Sequence, residues 1–249
     1  MYGKGQILLQ CIFWIICIYI CDCCLIFECF DDSVIQFILL FTLVYHQICA
    51  IRSFYLGVNT SSIVFPISKS EAEQNFLKTT ECKKCGIIRP IRSHHCSICK
   101  KCIDKLDHHC FLLNNCIGRK NYKFFFSYLF LSTINSIIGI LLGIYRFYLF
   151  KENEKKAMRN MQFFELNLGF IFNFPVKVIL LLLICIPTFI GSFYLLIYHL
   201  FLLYKCQTTI ERKYPKLYLE DITKNNRSFS EKFSRMIENN NWLNIYWLE

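Results

Sequence analysis

Seven of the chain's sixteen cysteines and four of its six histidines lie within residues 82–116. Three Cys-x2-Cys pairs fall within twenty-one residues of this cluster, at Cys82–Cys85, Cys96–Cys99 and Cys99–Cys102. Such a pair places two thiolates on one tight turn, which suits adjacent corners of a zinc tetrahedron. Chance clustering does not explain the regular spacing, so the pattern predicts zinc ligation in a reducing compartment and not disulfide bonding.

Structural zinc sites take four ligands from Cys and His side chains. The seven cysteines and four histidines make eleven candidates, so two filled sites would use eight and leave three residues over. A thiol among those three would bind no metal, and an unligated thiolate is a nucleophile. The identity of the surplus residues therefore separates a purely structural zinc domain from one that can also do chemistry.

The composition of the chain around the cluster indicates a membrane protein. Of 249 residues, 55% are hydrophobic and 18% are charged, whereas soluble domains carry about 25% charged residues. Four apolar runs are long enough to cross a hydrocarbon layer of about 30 Å, at approximately 7–27, 34–54, 124–150 and 178–204. The first run has no small-residue cleavage site and a second span follows almost at once, so we interpret it as an anchor and not as a signal peptide.

We therefore predict an all-α polytopic membrane protein with four transmembrane helices. Residues 1–56 carry helices 1 and 2, and residues 124–204 carry helices 3 and 4. Between them lies a small zinc-binding domain at 57–123, with its core at 82–121, and residues 205–249 form a C-terminal tail.

The distribution of positive charge predicts which side of the membrane each segment occupies. The segment 52–123 holds thirteen Lys and Arg and the tail holds eight, whereas the turn between the first two spans holds none. Because Lys and Arg remain on the cytosolic side, we predict that both termini and the cysteine-rich domain are cytosolic. The mildly basic loop 151–177, with five Lys and Arg and three Glu, is then lumenal.

The formal net charge of +10 is concentrated beside the apolar runs. The predicted partners are therefore anionic lipid headgroups and a phosphorylated cofactor. No RNA- or DNA-binding pattern accompanies the charge, so we predict no nucleic-acid partner. Three polar side chains inside the spans are expected to pair with neighbouring helices: His46, Asn135 and His199.

The order of residues across the cluster resembles that of a known family. From Cys82 to Asn121 it reads Cys-x2-Cys-x3-Arg-Pro-x-Arg-x2-His-Cys-x2-Cys-x2-Cys-x4-Asp-His-His-Cys-x5-Cys-x4-Asn, which resembles the cysteine-rich domain of the DHHC palmitoyltransferases. The resemblance extends to four spans with this domain between the second and third. It also includes Thr208-Thr209-Ile210-Glu211 after the fourth span, and residues 241–246 are similar to the family's C-terminal motif.

The resemblance implies that short β-hairpins surround two structural Zn²⁺ ions. One zinc site would comprise Cys82, Cys85, His95 and Cys102. The other would comprise Cys96, Cys99, His109 and Cys116. The remainder would be His94, His108 and Cys110, which agrees with the count of three surplus residues.

The same resemblance implies a protein S-acyltransferase that forms an acyl-enzyme thioester on Cys110 and passes the acyl group to cysteines of other proteins. His108 lies two residues away and would accept the Cys110 proton. Asp107 would orient that imidazole, as the acid does in nucleophile–base–acid triads, and Thr209 would hydrogen-bond Asp107. The acyl donor would be palmitoyl-CoA or another long-chain acyl-CoA.

The donor's two ends need different surroundings. The acyl chain would be buried among the helices, with each enclosed CH₂ contributing about 0.8 kcal/mol, and Asn135 falls in the part of the third span that lines this cavity in the family. The CoA phosphates would meet basic residues at the start of that span: Arg119, Lys120 and Lys123. Anchoring at the membrane surface is an equally good interpretation of each of the three.

Two features depart from the family pattern. The family usually has Pro-Trp after the nucleophile, whereas Phe111-Leu112 stands here. The family's Asp-Pro-Gly motif is absent from residues 57–66. Neither departure changes the Asp-His-His-Cys core.

Three other functions compete with the acyltransferase prediction. A non-catalytic zinc-stapled adaptor or chaperone would keep the fold but would not need a surplus thiol with its own base. A membrane-anchored ubiquitin ligase would need a different zinc spacing. A redox role for Cys-x2-Cys would need a thioredoxin-like α/β pattern, which the sequence lacks.

The resemblance also implies partners and a place in the cell. The substrates would be cytosolic or membrane-associated proteins with accessible cysteines, and the sequence leaves open whether an accessory subunit takes part. The membrane would be that of the Golgi, the endoplasmic reticulum or the cell surface.

Overall fold

The computed structural model describes residues 31–68, 79–160, 176–205 and 207–215, together with Ile26, Cys29 and Ser70. Apart from Ile26, the first predicted span at 7–27 lies outside the described residues. The same holds for residues 161–175 of the predicted lumenal loop and for the tail beyond residue 215, including the motif at 241–246.

Four helices occur in the described part of the chain: α1 (Ser33–Asn59), α2 (Tyr122–Asn160), α3 (Val176–Lys205) and α4 (Thr209–Lys213). Three of them are long and apolar enough to cross a membrane, over Ser33–Asn59, Tyr122–Glu152 and Val178–Lys205. These stretches overlap the second, third and fourth predicted spans. Large apolar side chains such as Phe37 and Leu183 are exposed on them, as expected where lipid is the solvent.

Local sequence explains where α1 begins and why α2 outlasts its apolar run. The Asp32 carboxylate accepts hydrogen bonds from the backbone N–H groups of Val34 and Ile35 at 2.8 and 3.2 Å, and so caps the first turn of α1. Helix α2 continues to Asn160, beyond the predicted span end at residue 150, because the Lys, Glu, Ala and Met of this stretch are good helix formers. Hydropathy therefore predicts the length of the apolar span, whereas helix propensity determines where the helix ends.

Three antiparallel β-hairpins follow one another between α1 and α2, which confirms the predicted β-hairpin domain. The first pairs β1 (Thr79–Cys82) with β2 (Ile87–Pro90), and the second pairs β3 (His94–Cys96) with β4 (Lys101–Ile103). The third pairs β5 (His108–Cys110) with β6 (Asn115–Ile117).

The three hairpins share one turn geometry at a spacing of fourteen residues. Each has a residue with positive φ immediately before its second strand: Gly86 (65°), Lys100 (56°) and Asn114 (43°). A left-handed residue at this point lets a four-residue turn close with the right-handed twist of the strands. The common geometry predicts that residues fourteen apart occupy equivalent places on the three hairpins.

The chain divides into two compact units. The first, within residues 52–128 and 196–215, contains all three hairpins, α4 and the adjoining ends of the long helices. Its apolar core consists of Cys96, Ile103, Leu106 and Cys116, with Ile63, Cys99 and Ile210 packed against it. Such a small core needs additional bonds to hold its shape, which bound metal can provide.

Two buried asparagines fasten the third hairpin to the end of α1. Asn115 Nδ2 donates to the carbonyl oxygens of Gly57, Val58 and Thr60 at 3.0, 3.1 and 2.8 Å. Asn121 Nδ2 donates to Thr60 at 3.1 Å. The last carbonyls of a helix have no partner within the helix, so these amides satisfy groups that burial would otherwise penalise.

The second unit, within residues 26–51 and 129–195, consists of helix packing alone in its described part. Gly143 lies against Leu182, whose Cδ2 is 2.9 Å from the place that a Cβ would take, so the glycine allows close helix contact. Thr133 Oγ1 donates to Ser192 Oγ at 3.0 Å between α2 and α3. His46, expected to pair with a neighbouring helix, has its Nδ1 2.8 Å from the Thr42 carbonyl of its own helix.

Replacing Asn115 with Ala should destabilise the first unit, because three helix-end carbonyls lose their buried donor. We expect a loss of about 2 kcal/mol, which corresponds to a melting midpoint lower by roughly 4–8 °C for a chain of this size. Asn59→Ala is the matched control, since Asn59 Nδ2 makes an exposed bond within α1 to Tyr55. Equal melting midpoints for the two variants in detergent would contradict the proposed role of Asn115.

Candidate active site and metal centres

The first group of potential metal ligands spans two hairpins. Cys82 and Cys85 come from the turn of the first hairpin, and His95 and Cys102 are directly paired across β3 and β4. His95 Nδ1 lies 3.1 Å from Cys85 Sγ and 3.8 Å from Cys82 Sγ, and the sulfur atoms of Cys102 and Cys85 are 3.7 Å apart. Separations of about 3.5–3.8 Å are those of neighbouring corners in a tetrahedral site with bonds of 2.0–2.3 Å.

The second group repeats this arrangement one hairpin further along. Cys96 and Cys99 come from the turn of the second hairpin, and His109 and Cys116 are paired across β5 and β6. His109 Nδ1 lies 3.4, 3.5 and 3.9 Å from the sulfur atoms of Cys99, Cys116 and Cys96. The second hairpin therefore supplies ligands to both groups, and the three hairpins are linked in series.

The donor chemistry of both groups suits a divalent cation. Each group brings three thiols and one imidazole nitrogen within 4.8 Å of one another. Burial and the thiols of Cys82 and Cys85 raise the pKa of Cys102 to about 12, because several thiolates this close together repel. A cation removes that repulsion by neutralising the charge, so both groups can hold a metal ion with tetrahedral S₃N coordination.

Cys110 ends strand β5 and belongs to neither metal group. Its side chain is buried, with 8% of its surface exposed. On the same strand, His108 Nδ1 lies 2.7 Å from the Asp107 carboxylate Oδ2. The third hairpin therefore brings a thiol, an imidazole and a carboxylate together within four consecutive residues.

Thr209, at the start of α4 and distant from Asp107 in the sequence, donates two hydrogen bonds to the Asp107 carboxylate. Its backbone N–H donates to Oδ1 at 2.9 Å and its hydroxyl donates to Oδ2 at 2.8 Å. The backbone N–H of Asp107 donates to the carbonyl oxygen of Ile117 on β6 at 2.8 Å, so the backbone of Asp107 is also held in place. The carboxylate, only 1% exposed, is thus bonded at both oxygen atoms.

These contacts determine the charge of the pair. Burial opposes ionisation of Asp107, but the His108 hydrogen bond and the Thr209 N–H outweigh it and lower the Asp107 pKa below its ordinary value. Burial also opposes a charge on His108, yet bonds to Asp107 and Cys110 raise the His108 pKa to about 9. An imidazole with this proton affinity beside a thiol can take up the proton of a cysteine nucleophile.

A partly buried ion pair anchors α4 to the hairpins. Arg92, between the first and second hairpins, donates from Nε and Nη2 to the two Glu211 oxygens at 2.6 and 2.7 Å. Glu211 also accepts from the Thr208 backbone N–H at 2.8 Å, while the Thr208 hydroxyl accepts from the Glu211 N–H at 3.2 Å. Because of this capping box, α4 begins at Thr209, the residue that contacts Asp107.

Aromatic rings enclose the imidazole of His108. Phe125, in the first turn of α2, meets it edge to face with centroids 5.2 Å apart. His199, near the end of α3, lies 4.9 Å from Phe125 and 6.0 Å from His108, centroid to centroid. The Tyr122 hydroxyl is 3.0 Å from His199 Nδ1.

Leu113 distinguishes the third hairpin from the second. Cys96 and Cys110 stand fourteen residues apart at the same place on their hairpins, and so do Cys99 and Leu113. Leu113 is fully buried, and its Cδ1 is 3.1 Å from the place that a Cβ on Gly57 would take. With leucine in the position of the second sulfur, the third turn offers one thiol where the second offers two.

The residues predicted to bind the acyl donor have different surroundings. Arg119 Nε is 2.5 Å from Asp104 Oδ2, so its guanidinium already has an anionic partner. Lys120 is exposed, and Lys123 Nζ lies 5.0 Å from the Phe124 ring. Asn135 belongs to the second unit, is 7% exposed, and its Oδ1 has no hydrogen-bond partner among the described residues.

Several residues that surround the site have no role predicted from the sequence. Arg92 and Glu211 appeared only as letters of a motif, and Tyr122, Phe125 and Leu113 were not singled out. One signal was available: residues 93–103 and 107–117 align at a spacing of fourteen, with Leu113 in the place of Cys99. The ring contacts gave no such signal, because they join α2 to α3 across 77 residues.

Three relatives illustrate the similarity to known proteins. Palmitoyltransferase ZDHHC20 of Mus musculus is 33% identical over 134 residues, which cover 52% of this chain and 34% of the relative. Palmitoyltransferase ZDHHC3 of Homo sapiens is 28% identical over 129 residues, covering 48% and 39%. Palmitoyltransferase ERF2 of Kluyveromyces lactis is 40% identical over 65 residues, covering 26% and 18%.

These matches thus span less than two fifths of each relative's own length. The profile of one family, described as DHHC palmitoyltransferase, matches residues 75–215, which is more than half of the chain. The matched range includes all three hairpins, both groups of potential metal ligands, the Asp107–His108–Cys110 cluster and Thr209. The chain belongs to the DHHC palmitoyltransferase family.

Proposed function

We propose that this protein is an acyl-CoA-dependent protein S-acyltransferase whose nucleophile is Cys110. The observation that carries the proposal is the arrangement around that thiol. His108 lies next to it with its Nδ1 2.7 Å from Asp107, and Asp107 is held in turn by two bonds from Thr209. Cys110 is the cysteine of the hairpin domain that belongs to neither metal group, so its sulfur is available to react.

The reaction consists of two thioester exchanges. In the first, His108 takes the Cys110 proton, the sulfur attacks the acyl carbonyl carbon, and the bond from that carbon to the CoA sulfur breaks. The CoA thiolate leaves with the proton from His108. In the second, His108 takes the proton of a substrate protein's cysteine, whose sulfur attacks the acyl carbon and releases Cys110. Bonds of equal type form and break, so the protein supplies placement and proton transfer.

Asp107 and Thr209 act through His108. The carboxylate keeps the proton of His108 on Nδ1, which leaves Nε2 as the atom that exchanges a proton with sulfur. Thr209 saturates both carboxylate oxygens, so Asp107 cannot rotate away from the imidazole. The Arg92–Glu211 pair holds α4, and hence Thr209, against the hairpins.

We infer that the cation in each ligand group is structural Zn²⁺. Three thiolates and one imidazole in a tetrahedron favour zinc over hard cations such as Mg²⁺ or Ca²⁺. Four protein ligands leave no position for water or substrate, so each zinc would hold hairpins in place and take no part in the reaction. The second site would fix the third hairpin through His109 and Cys116, on either side of Cys110.

The membrane arrangement that suits this function has four spans, with both termini and the hairpins on the cytosolic side. The cytosol holds acyl-CoA and the substrate cysteines, which would belong to cytosolic or membrane-associated proteins. Exposed Lys120 is the strongest of the three candidates for contact with CoA phosphates, because Lys123 is half-buried and Arg119 is paired with Asp104. The membrane is that of the Golgi, the endoplasmic reticulum or the cell surface.

A non-catalytic adaptor with the same fold is the alternative function. It would use the zinc sites and the helices but would have no need of the Asp107–His108 pair or of its Thr209 contacts. A buried carboxylate is costly to maintain without a role. The acylation experiment below distinguishes the two functions.

The purified protein should form a hydroxylamine-sensitive thioester with an alkyne-labelled fatty acyl-CoA, and Cys110→Ser should abolish it because serine lacks the thiolate. Cys185→Ser, a buried cysteine of α3, is the matched control and should label like the wild type. The readout is in-gel fluorescence of the full chain in detergent. Label that persists in Cys110→Ser would assign the acyl group to another residue and reject the proposal.

Zinc content should be two equivalents per chain by plasma mass spectrometry. Cys102→Ser should remove at least one of them, because the first site then keeps only three ligands and structural zinc takes four. Cys49→Ser makes the same change at a buried cysteine of α1 outside both groups and should retain two. A wild-type chain with one equivalent, or with a metal other than zinc, would contradict the assignment.

Replacing Asn135 with Ala should shift the acyl groups on Cys110 toward longer chains, if this amide borders the acyl chain as the family resemblance implies. Removing a buried polar group makes its surroundings more apolar, and each further buried CH₂ contributes about 0.8 kcal/mol. We expect a severalfold rise of stearoyl over palmitoyl, measured by mass spectrometry with both donors present. Ser136→Ala, which alters a buried hydroxyl on the same helix, is the control. An unchanged profile would remove Asn135 from the acyl site.

A further inference from the structure

His199 is a buried polar side chain near the cytosolic end predicted for α3. It is 2% exposed, and burying an imidazole is costly unless its nitrogen atoms are bonded. Its Nδ1 lies 3.0 Å from the Tyr122 hydroxyl, which satisfies one of them. A residue that only filled space here would more simply be apolar, so the other polar groups near this imidazole are informative.

The imidazole of His199 lies beside the proposed catalytic pair. One ring nitrogen of His199 lies within 4.8 Å of both an Asp107 oxygen and a His108 nitrogen, and the three side chains form a compact cluster. Neither imidazole stacks on the other, since the ring planes are tilted by 41° with centroids 6.0 Å apart. His199 is thus a near neighbour of the pair without competing for the 2.7 Å bond between them.

Phe125 packs against both imidazole rings. It meets His108 edge to face at 5.2 Å and His199 edge to face at 4.9 Å, so rotation of either imidazole would drive it into the phenyl ring. Tyr122, one turn earlier on α2, fixes the rotation of His199 through its hydroxyl. The orientation of His108 is therefore determined on one side by Asp107 and on another by this row of rings.

His199 and Thr209 lie on one short segment of the chain. The segment ends in Thr209, whose backbone and hydroxyl donate to Asp107. One segment therefore reaches the Asp107–His108 pair at two separate points, with a carboxylate contact at Thr209 and a ring contact at His199.

We propose that His199 is a positioning residue for the acyl-transfer step, which acts with Tyr122 to hold the His108 imidazole in the orientation required for proton exchange with Cys110. The inference rests on the proposed function, because it assigns His199 to the step that His108 carries out. His199 itself touches neither the acyl donor nor the reacting atoms. Its effect is on the rate of acyl transfer and not on donor binding.

Single-turnover acylation of the full chain in lipid nanodiscs, with palmitoyl-CoA in excess, tests this assignment. His199→Phe keeps the ring volume and removes both nitrogens, whereas Tyr122→Phe removes only the hydroxyl. Each should slow formation of the acyl-enzyme by about tenfold, the effect of losing roughly one buried hydrogen bond. The palmitoyl-CoA concentration for half-maximal rate, the melting midpoint and the bound zinc should stay at wild-type values.

Tyr198→Phe is the matched control. Tyr198 also contacts the His199 ring, with centroids 5.5 Å apart, so the variant makes the same chemical change at a ring neighbour without the Nδ1 bond. We expect a rate within about twofold of wild type, since no bond to His199 is lost. A tenfold loss in this variant as well would attribute the effect to general packing and overturn the proposal.

A double-mutant cycle shows whether His199 acts through the catalytic pair. In an Asp107→Asn background the imidazole has already lost its orienting charge, so adding His199→Phe should slow acylation by less than about twofold. A further tenfold loss there would show an independent effect, and a single His199→Phe variant as fast as wild type would show none; either result overturns the inference. Failure of the wild-type chain to acylate Cys110 would instead reject the proposed function itself.

Discussion

The buried carboxylate of Asp107 is the group around which the first unit is organised. A carboxylate withdrawn from water is costly unless hydrogen bonds and an opposite charge replace its hydration. His108 provides the charge and Thr209 provides two donors, although 102 residues separate Thr209 from Asp107. The need to satisfy this one group therefore requires the segment after α3 to fold back onto the third hairpin. The Arg92–Glu211 pair and the capping box of α4 stabilise that return.

The two ligand groups, with bound metal, can give the small hairpin domain the stability that a larger domain obtains from its apolar core. Each ligand group ties the turn of one hairpin to the strands of the next, so the hairpins cannot move independently once the cations are bound. Asn115 extends the same constraint to the end of α1 by capping its carbonyls. The third hairpin is consequently held by the potential ligands His109 and Cys116 and, through Asn115, by the end of α1.

The ligand groups and the carboxylate–imidazole–thiol cluster could be predicted because they depend on short spacings. A tight turn fixes which residues become neighbours, and the family pattern places His95 and His109 opposite Cys102 and Cys116. The contacts around them could not be predicted in this way. Arg92 with Glu211, Tyr122 with His199 and Asn115 with the end of α1 join residues 55 to 119 positions apart. Such pairs are decided by how helices pack, and neither periodicity nor composition records that packing.

The equivalence of Leu113 and Cys99 has a chemical consequence. A turn with two sulfur atoms chelates a cation, whereas the same turn with one sulfur and a leucine cannot complete a four-ligand site. Residues 110–113 therefore present an unligated thiol at a place where the preceding hairpin presents two potential metal ligands. Leu113, which is buried against Gly57, thus stands where a second thiol would complete a pair of ligands with Cys110.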